Sequence, residues 1–311
     1  MAAMVVLEFV WWGLAYAKGI APFPHLGTYL VLAATSLGAA LALRAAFRRD
    51  STHMRWTSLA AATLLVAIGA SLFLPLKYAI PGEIPFWLDR PVAGAEQILF
   101  GAQPWAVLDA VLGRFAVPID RIYGLWLPIQ SLVLFTVILA RPGPAKSRAL
   151  VAYALAWFVL GIVAAVLLSS AGPLFHDRLF GTAEFGGLHE RLAERGAWIA
   201  MTESEAMWAS YATGEPGMVS GISAVPSMHV AISLWFVLAA RTLAPRAAGF
   251  ALAYLVFMWI ASVQLGWHYA FDGLAGIAGM AAVWVVAGKI EPWLVGWVAT
   301  RPSRAAASPA L

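Results

Sequence analysis

Residues 247–288 read AAGFALAYLVFMWIASVQLGWHYAFDGLAGIAGMAAVWVVAG, two apolar runs joined through Gly266-Trp-His-Tyr-Ala-Phe-Asp272. Asp272 is the one Asp, Glu, Lys or Arg in the whole stretch. About 20 apolar helical residues cross a bilayer core, so each run reads as a span and the join as a tight turn at one membrane face. Helix is the form expected, because lipid offers no partner to an unpaired backbone group. Working outward, apolar runs broken by charge, Pro or Gly place further spans at 26–46, 57–76, 122–140, 149–169 and 225–240, beside 247–265 and 270–288. An eighth apolar stretch, 4–17, carries Glu8 and is either a short first span or an interfacial helix. It lacks a basic n-region and a small-x-small cleavage site, so it is not read as a cleaved signal peptide. No internal repeat is evident, and the Ala/Pro/Ser-rich tail from Ala299 to Leu311 is expected to be disordered.

Composition agrees. Of 311 residues, 62% are hydrophobic and 12% charged, where a soluble domain carries about a quarter charged residues. That excludes a soluble enzyme, a disordered chain and, despite the net charge of +4, a nucleic-acid reader. Cysteine is absent, which excludes a thiolate nucleophile, a thiolate metal site, c-type haem attachment and disulfides. The fold class expected is an all-α polytopic membrane protein.

The charges sort by side. Arg44, Arg48, Arg49 and Arg55, then Arg141, Lys146 and Arg148, then Arg241 and Arg246, then Lys289, Arg301 and Arg304 fall at every second connection. Positive charge marks cytoplasmic connections. The alternate segments, 77–121, 170–224 and 266–269, hold most of the acids and are placed outside. Two of them are long enough to be functional. The first, with an apolar face from Pro91 to Leu112, is expected to lie along the interface; the second is polar enough to be a lid. Asp89, Asp120 and Arg121 either order the first segment or bind an acceptor head group. The fifteen Trp residues, Trp126 and Trp267 among them, read mostly as interfacial belt.

Two histidines stand at span mouths. His229 lies in Ser223-Ala-Val-Pro-Ser-Met-His-Val-Ala231, where Pro226 suits a first helical position and Ser227 adds a hydroxyl donor. A helix starting there aims free N–H groups and its positive dipole end outward, an anion site. His268 and Asp272 are i and i+4, on one face if the segment is helical. The chain crosses twice between His229 and His268, so both return to the same face. Two imidazoles, a carboxylate and a helix N-terminus suit phosphoryl transfer through histidine: one neutral His attacks phosphorus, a second protonates the leaving oxygen, and the carboxylate fixes the tautomer. Other residues have blander readings: Asp177 with Arg178 as a loop ion pair, Lys77 as a snorkelling anchor, His189 with Glu190 as solvated surface.

Pro226-Ser-Met-His229 followed by His268-x-x-x-Asp272 resembles the second and third motifs of the type 2 phosphatidic acid phosphatase superfamily. The wider context is similar to the inositol phosphorylceramide synthase branch and its bacterial relatives. It includes Lys77-Tyr-Ala-Ile-Pro81, Asp120-Arg-Ile-Tyr-x-x-Trp126 and Gly172-Pro-Leu-Phe-His-Asp-Arg178. The resemblance covers roughly 57–288. It implies a six-helix phosphatase-type bundle with one or two extra N-terminal spans. The implied domains are N-terminal spans over 1–56, a catalytic bundle over 57–290 and a cytoplasmic tail over 291–311. It also implies His268 as nucleophile, Asp272 as its orienting carboxylate and His229 as general acid, with no metal or other cofactor. The superfamily's first motif and the Ser-Arg before the third-motif His are missing, position 262 being Ser. Lys77 and Arg178, at outer span ends, are therefore expected to supply the cations, with Ser227, at the phosphate.

The function expected is a lipid phosphotransferase or phosphatase in a bacterial inner membrane, its site facing the periplasm. The donor is a lipid phosphate or phospholipid; the acceptor is water or a lipid hydroxyl such as ceramide, the latter making it a phosphosphingolipid synthase. Two other classes compete: a redox protein using His229 and His268 as haem or metal ligands, and an anionic-lipid transporter. The near absence of charge inside the spans disfavours the transporter.

Overall fold

A computed structural model describes Gly13, Ala17 and residues 25–48, 56–215, 217 and 221–299. The stretch 4–17, but for Gly13 and Ala17, and the tail beyond Ala299 lie outside these. The described residues are helical, with no strand among them. In chain order the helices are α1 (Leu26–Arg48), α2 (Trp56–Glu83), α3 (Asp89–Phe100), α4 (Pro104–Leu112), α5 (Ala116–Gly124), α6 (Trp126–Ile138) and α7 (Pro144–Phe158). They continue as α8 (Pro173–Phe180), α9 (Leu188–Arg195), α10 (Trp198–Thr213), α11 (Met228–Leu243), α12 (Ala248–Gln264) and α13 (Ala270–Ala299). A π turn, Val159–Ala164, extends α7 to Leu167.

Among the described residues, five stretches are long and apolar enough to cross a membrane: Leu26–Ala46, Trp56–Gly82, Pro144–Leu167, Pro245–Gln264 and Ala270–Trp293. This is a multi-pass membrane protein. Two expected spans differ in form. That at 122–140 is bent: α6 meets the 104–124 segment at 43°, and the two together are long and apolar enough for one broken span or a re-entrant segment. That at 225–240 begins three residues later, because Ser227 rather than Pro226 caps α11: its Oγ accepts from the Val230 N–H at 3.4 Å. The last span, expected to stop at 288, continues to Ala299.

The bundle packs through small residues. Ala149, Ala152 and Ala156 of α7, Ala231 and Ala239 of α11 and Ala287 of α13 are buried, and they let helices approach around Phe135, Ile232, Trp235 and Met280. Where apolar side chains gain nothing from leaving water, close packing is what holds helices together. The α11–α13 crossing shows how tight this is. A Cβ on Gly276 would stand 2.6 Å from the Ser227 carbonyl oxygen and 3.3 Å from the Ala231 nitrogen, both backbone. Gly276→Val is expected to destabilise by about 1–3 kcal/mol and displace the start of α11; an unchanged melting temperature in detergent would contradict this.

The basic residues at one end grip helix carbonyls. Arg44 donates to the Leu139 carbonyl at 2.6 Å, Lys146 to that of Ala140 at 3.0 Å, and Arg148 to that of Trp284 at 2.9 and 3.1 Å while stacking on its ring. Arg44 and Lys146 thereby satisfy carbonyls at the negative end of the α6 dipole, while Trp284 lies midway along α13. At the opposite end α3–α5 and α8–α10 form a cap with its own core, including Trp105, Phe175, Phe185, Leu188, Met258 and Tyr269. The first long segment is helical as its apolar face predicts, and Ile98, Leu99, Phe100, Val107 and Val111 remain exposed along it.

Candidate active site

Three buried carboxylates build the turn between α12 and α13. Asp272 Oδ2 accepts from the Tyr269 N–H at 2.9 Å and faces His268 Nδ1 at 3.2 Å. Asp89, fully buried, accepts from the Tyr269 hydroxyl at 3.1 Å, from the Ala171 and Gly172 N–H groups at 2.9 and 2.8 Å, and from Ser170 Oγ at 3.0 Å. A nest of two N–H groups and two hydroxyls is what a buried carboxylate needs. Asp89 and burial both push the Tyr269 hydroxyl far above its ordinary pKa, burial most. Gly172 is required here: its φ is +91°, and a Cβ would stand 2.6 Å from the Trp267 carbonyl oxygen.

Glu96 of α3 accepts from the Phe271 N–H at 2.8 Å and so closes the first turn of α13. Burial, opposed by these backbone bonds and aided by the Asp272 charge, raises its pKa from 4.5 to about 7. The neutral form therefore favours folding below about pH 4.5, and that contribution is lost as pH rises through about 7. Glu96→Gln keeps the acceptor without the charge. Its melting temperature relative to the wild type is expected to climb between pH 4.5 and 7; a gap that shrinks over that interval would refute the burden placed on the ionised carboxylate.

α11 enters beside this turn. The Ser227 N–H donates to the Asp272 carbonyl at 3.0 Å, clipping the two helix starts together. The His229 and His268 rings then lie 5.7 Å apart, centroid to centroid, at 64°. His229 is stacked on Tyr123 at 4.7 Å and tilted against Trp126 at 4.2 Å. The carbonyl of Ser262, six residues earlier, accepts from the His268 N–H at 3.2 Å. Burial, with the Lys77 charge, lowers the His268 pKa from 6.5 to about 3, against a raising contribution from the Ala224 carbonyl that hydrogen-bonds the ring. The imidazole is neutral at physiological pH, as a nucleophile must be.

Both histidines open into a cavity of about 310 Å³, the size of a small-ligand pocket. Its cap end carries Lys77, Glu203, Ser223 and Trp267; its other end is apolar, between α1, α2, α6 and α7, with Leu32, Val66, Gly69 and Leu134 on its wall. The π turn of α7 faces it through Leu160 and Gly161. Lys77 sits on α2 between Pro75 and Pro81, each of which removes a helical hydrogen bond. Lys77 is the one Lys or Arg among the described residues that line the cavity.

The residues singled out from sequence are thus divided. His229, His268 and Lys77 share the cavity and Asp272 backs His268. Ser227 is fully buried with its hydroxyl capping α11; Ser223, not anticipated, lines the cavity instead. Arg178 lies elsewhere, its guanidinium forked onto Glu205 and placed over the Trp208 ring, and it holds the Glu205 carboxyl below its ordinary pKa. The anticipated Asp177–Arg178 pair is absent, because Asp177 instead accepts from Thr182 Oγ1 and the Glu184 and Phe185 N–H groups. Asp120 orders the cap, accepting from the Ile199 and Ala200 N–H groups at the start of α10. Trp126 and Trp267 line the cavity rather than merely belting the membrane. Among the described residues no three His, Cys, Asp or Glu side chains are grouped to hold a metal ion.

A family model described as "PAP2 superfamily" matches residues 95–286. No curated protein matches the chain, and no solved structure does.

Proposed function

The chain belongs to the PAP2 superfamily, and from that premise we propose a lipid phosphotransferase or phosphatase working through a phospho-histidine on His268. The observation that carries the reading is one cavity joining two facing imidazoles and an unpaired lysine to an apolar chamber. Asp272 accepts from Nδ1 of His268, leaving the lone pair on Nε2 to attack phosphorus. The P–N bond forms as the P–O bond to the leaving group breaks, and His229 delivers its proton to the departing oxygen. His229, now neutral, takes a proton from water or a lipid hydroxyl that attacks the phospho-histidine and restores His268. Lys77 holds the non-bridging oxygens, in the role the missing arginines would fill. It precedes the family-matched segment, so the N-terminal helices complete the site. The basic helix ends support an orientation with the cap, and with it the site, on the extracytoplasmic face, which in this reading is the periplasm of a bacterial inner membrane.

The test is to express the protein and its His268→Ala variant in one host supplied with ceramide and compare total lipids by mass spectrometry. A phosphorylated lipid made only by the wild type identifies a transferase, including a phosphosphingolipid synthase such as an inositolphosphotransferase. Loss of a lipid phosphate without a new conjugate identifies a phosphatase. Identical extracts from the two strains would refute the reading.

A further inference from the structure

Glu203 is the one carboxylate among the described residues lining the cavity. It comes from α10, a cap helix pinned at its start by Asp120, and it enters beside Met207 one turn on. Among the described residues it makes no hydrogen bond or ion pair, and Lys77 makes none either. Burial, with the Asp120 charge, raises the Glu203 pKa. The cavity thus carries one acidic and one basic side chain, both half-buried, that do not bridge each other. An ionisable group held in an apolar-walled site without a partner is costly, so such a pair points to a ligand bearing both complements.

We propose that the site selects zwitterionic lipids, whose head group carries an ammonium on the far side of its phosphate. This rests on the phosphotransfer reading and names its substrate class. Lys77 and His268 take the phosphate; Glu203 takes the ammonium as its counter-ion. Around them Tyr123, Trp126, Phe175 and Trp267 line the cavity, and aromatic rings attract alkylated ammonium through their electron-rich faces. A polyol head group could hydrogen-bond Glu203 but would leave its charge uncompensated. The tail lies in the apolar end between α1, α2, α6 and α7.

Binding tests this without turnover. In maltoside micelles, tryptophan fluorescence of the His268→Ala protein is titrated with dodecyl phosphocholine, dodecyl phosphate and dodecyl phosphoglycerol. The phosphocholine ester should bind tightest. Glu203→Gln in the same background should cut its advantage over the other two by about tenfold, and Glu203→Lys should reverse the order. An equal loss for all three probes would overturn the proposal, as would a loss for the glycerol ester as large as that for the choline ester. Equal affinity of the parent protein for the three probes would do the same. A head-group preference that depends on Glu203, in a protein that converts no lipid, would instead sink the phosphotransfer reading alone.

Discussion

The His268→Ala protein is expected to fold and to turn nothing over. Removing a nucleophile leaves only what binding and electrostatics contribute, so the loss should reach about three orders of magnitude or more. Folding should survive, because the carboxylates around His268 are anchored to the backbone rather than to its ring: Asp272 to the Tyr269 N–H, Asp89 to those of Ala171 and Gly172, Glu96 to that of Phe271. Size-exclusion profile and melting temperature check the fold, and release of labelled phosphate or transfer product checks turnover. A phosphorus-labelled donor should also leave an acid-labile, base-stable adduct on the wild type and none on the variant. Retention of more than about a tenth of the activity would remove His268 as nucleophile. Because the His268 pKa lies near 3, its protonation should not set the acid limb of the pH–rate profile above about pH 5.

Lys77→Met should cost nearly as much, about 100-fold or more in turnover. No Arg or other Lys stands among the described residues of the cavity to replace it, and Arg178 is already held by Glu205. The methionine keeps the length and apolar character of the stem, so the packing of α2 is largely preserved while the charge goes. Lys77→Arg should recover part of the rate, since a guanidinium can still bind phosphate oxygens. Loss of the lysine should also let the His268 pKa rise from about 3 toward its ordinary 6.5, since the Lys77 charge is the second cause of its depression. Acid sensitivity of the activity would then increase. A Met variant with more than about half the wild-type rate would show that the phosphate is held by something else.

The local signals were legible because each depends on neighbours in the chain. Apolar run lengths give the long helices, and His268 and Asp272 are separated by one turn, so their pairing follows from helical spacing. The start of α11 near Pro226-Ser227 could be read too, within three residues, but not the use of the Ser227 hydroxyl, which caps the helix. Hydropathy gives the apolar length at 122–140 but does not register the 43° bend beside Leu125.

By itself the sequence determined an all-helical membrane chain and the placing of His229 and His268 at two helix mouths on one face, since hydrophobic length and helical spacing are properties of short segments. Only the tertiary structure decided which cation reaches them. The sequence puts Lys77 and Arg178 alike near outer span ends, but Arg178 lies on the cap helix α8 within reach of Glu205, while Lys77 reaches the open cavity. It also brought Glu203, Ser223 and Glu96 to the site. Glu203 and Glu96 are remote in sequence from His268 and carried there by how the cap helices pack, an arrangement no local pattern encodes; Ser223 comes in on the loop that leads into α11.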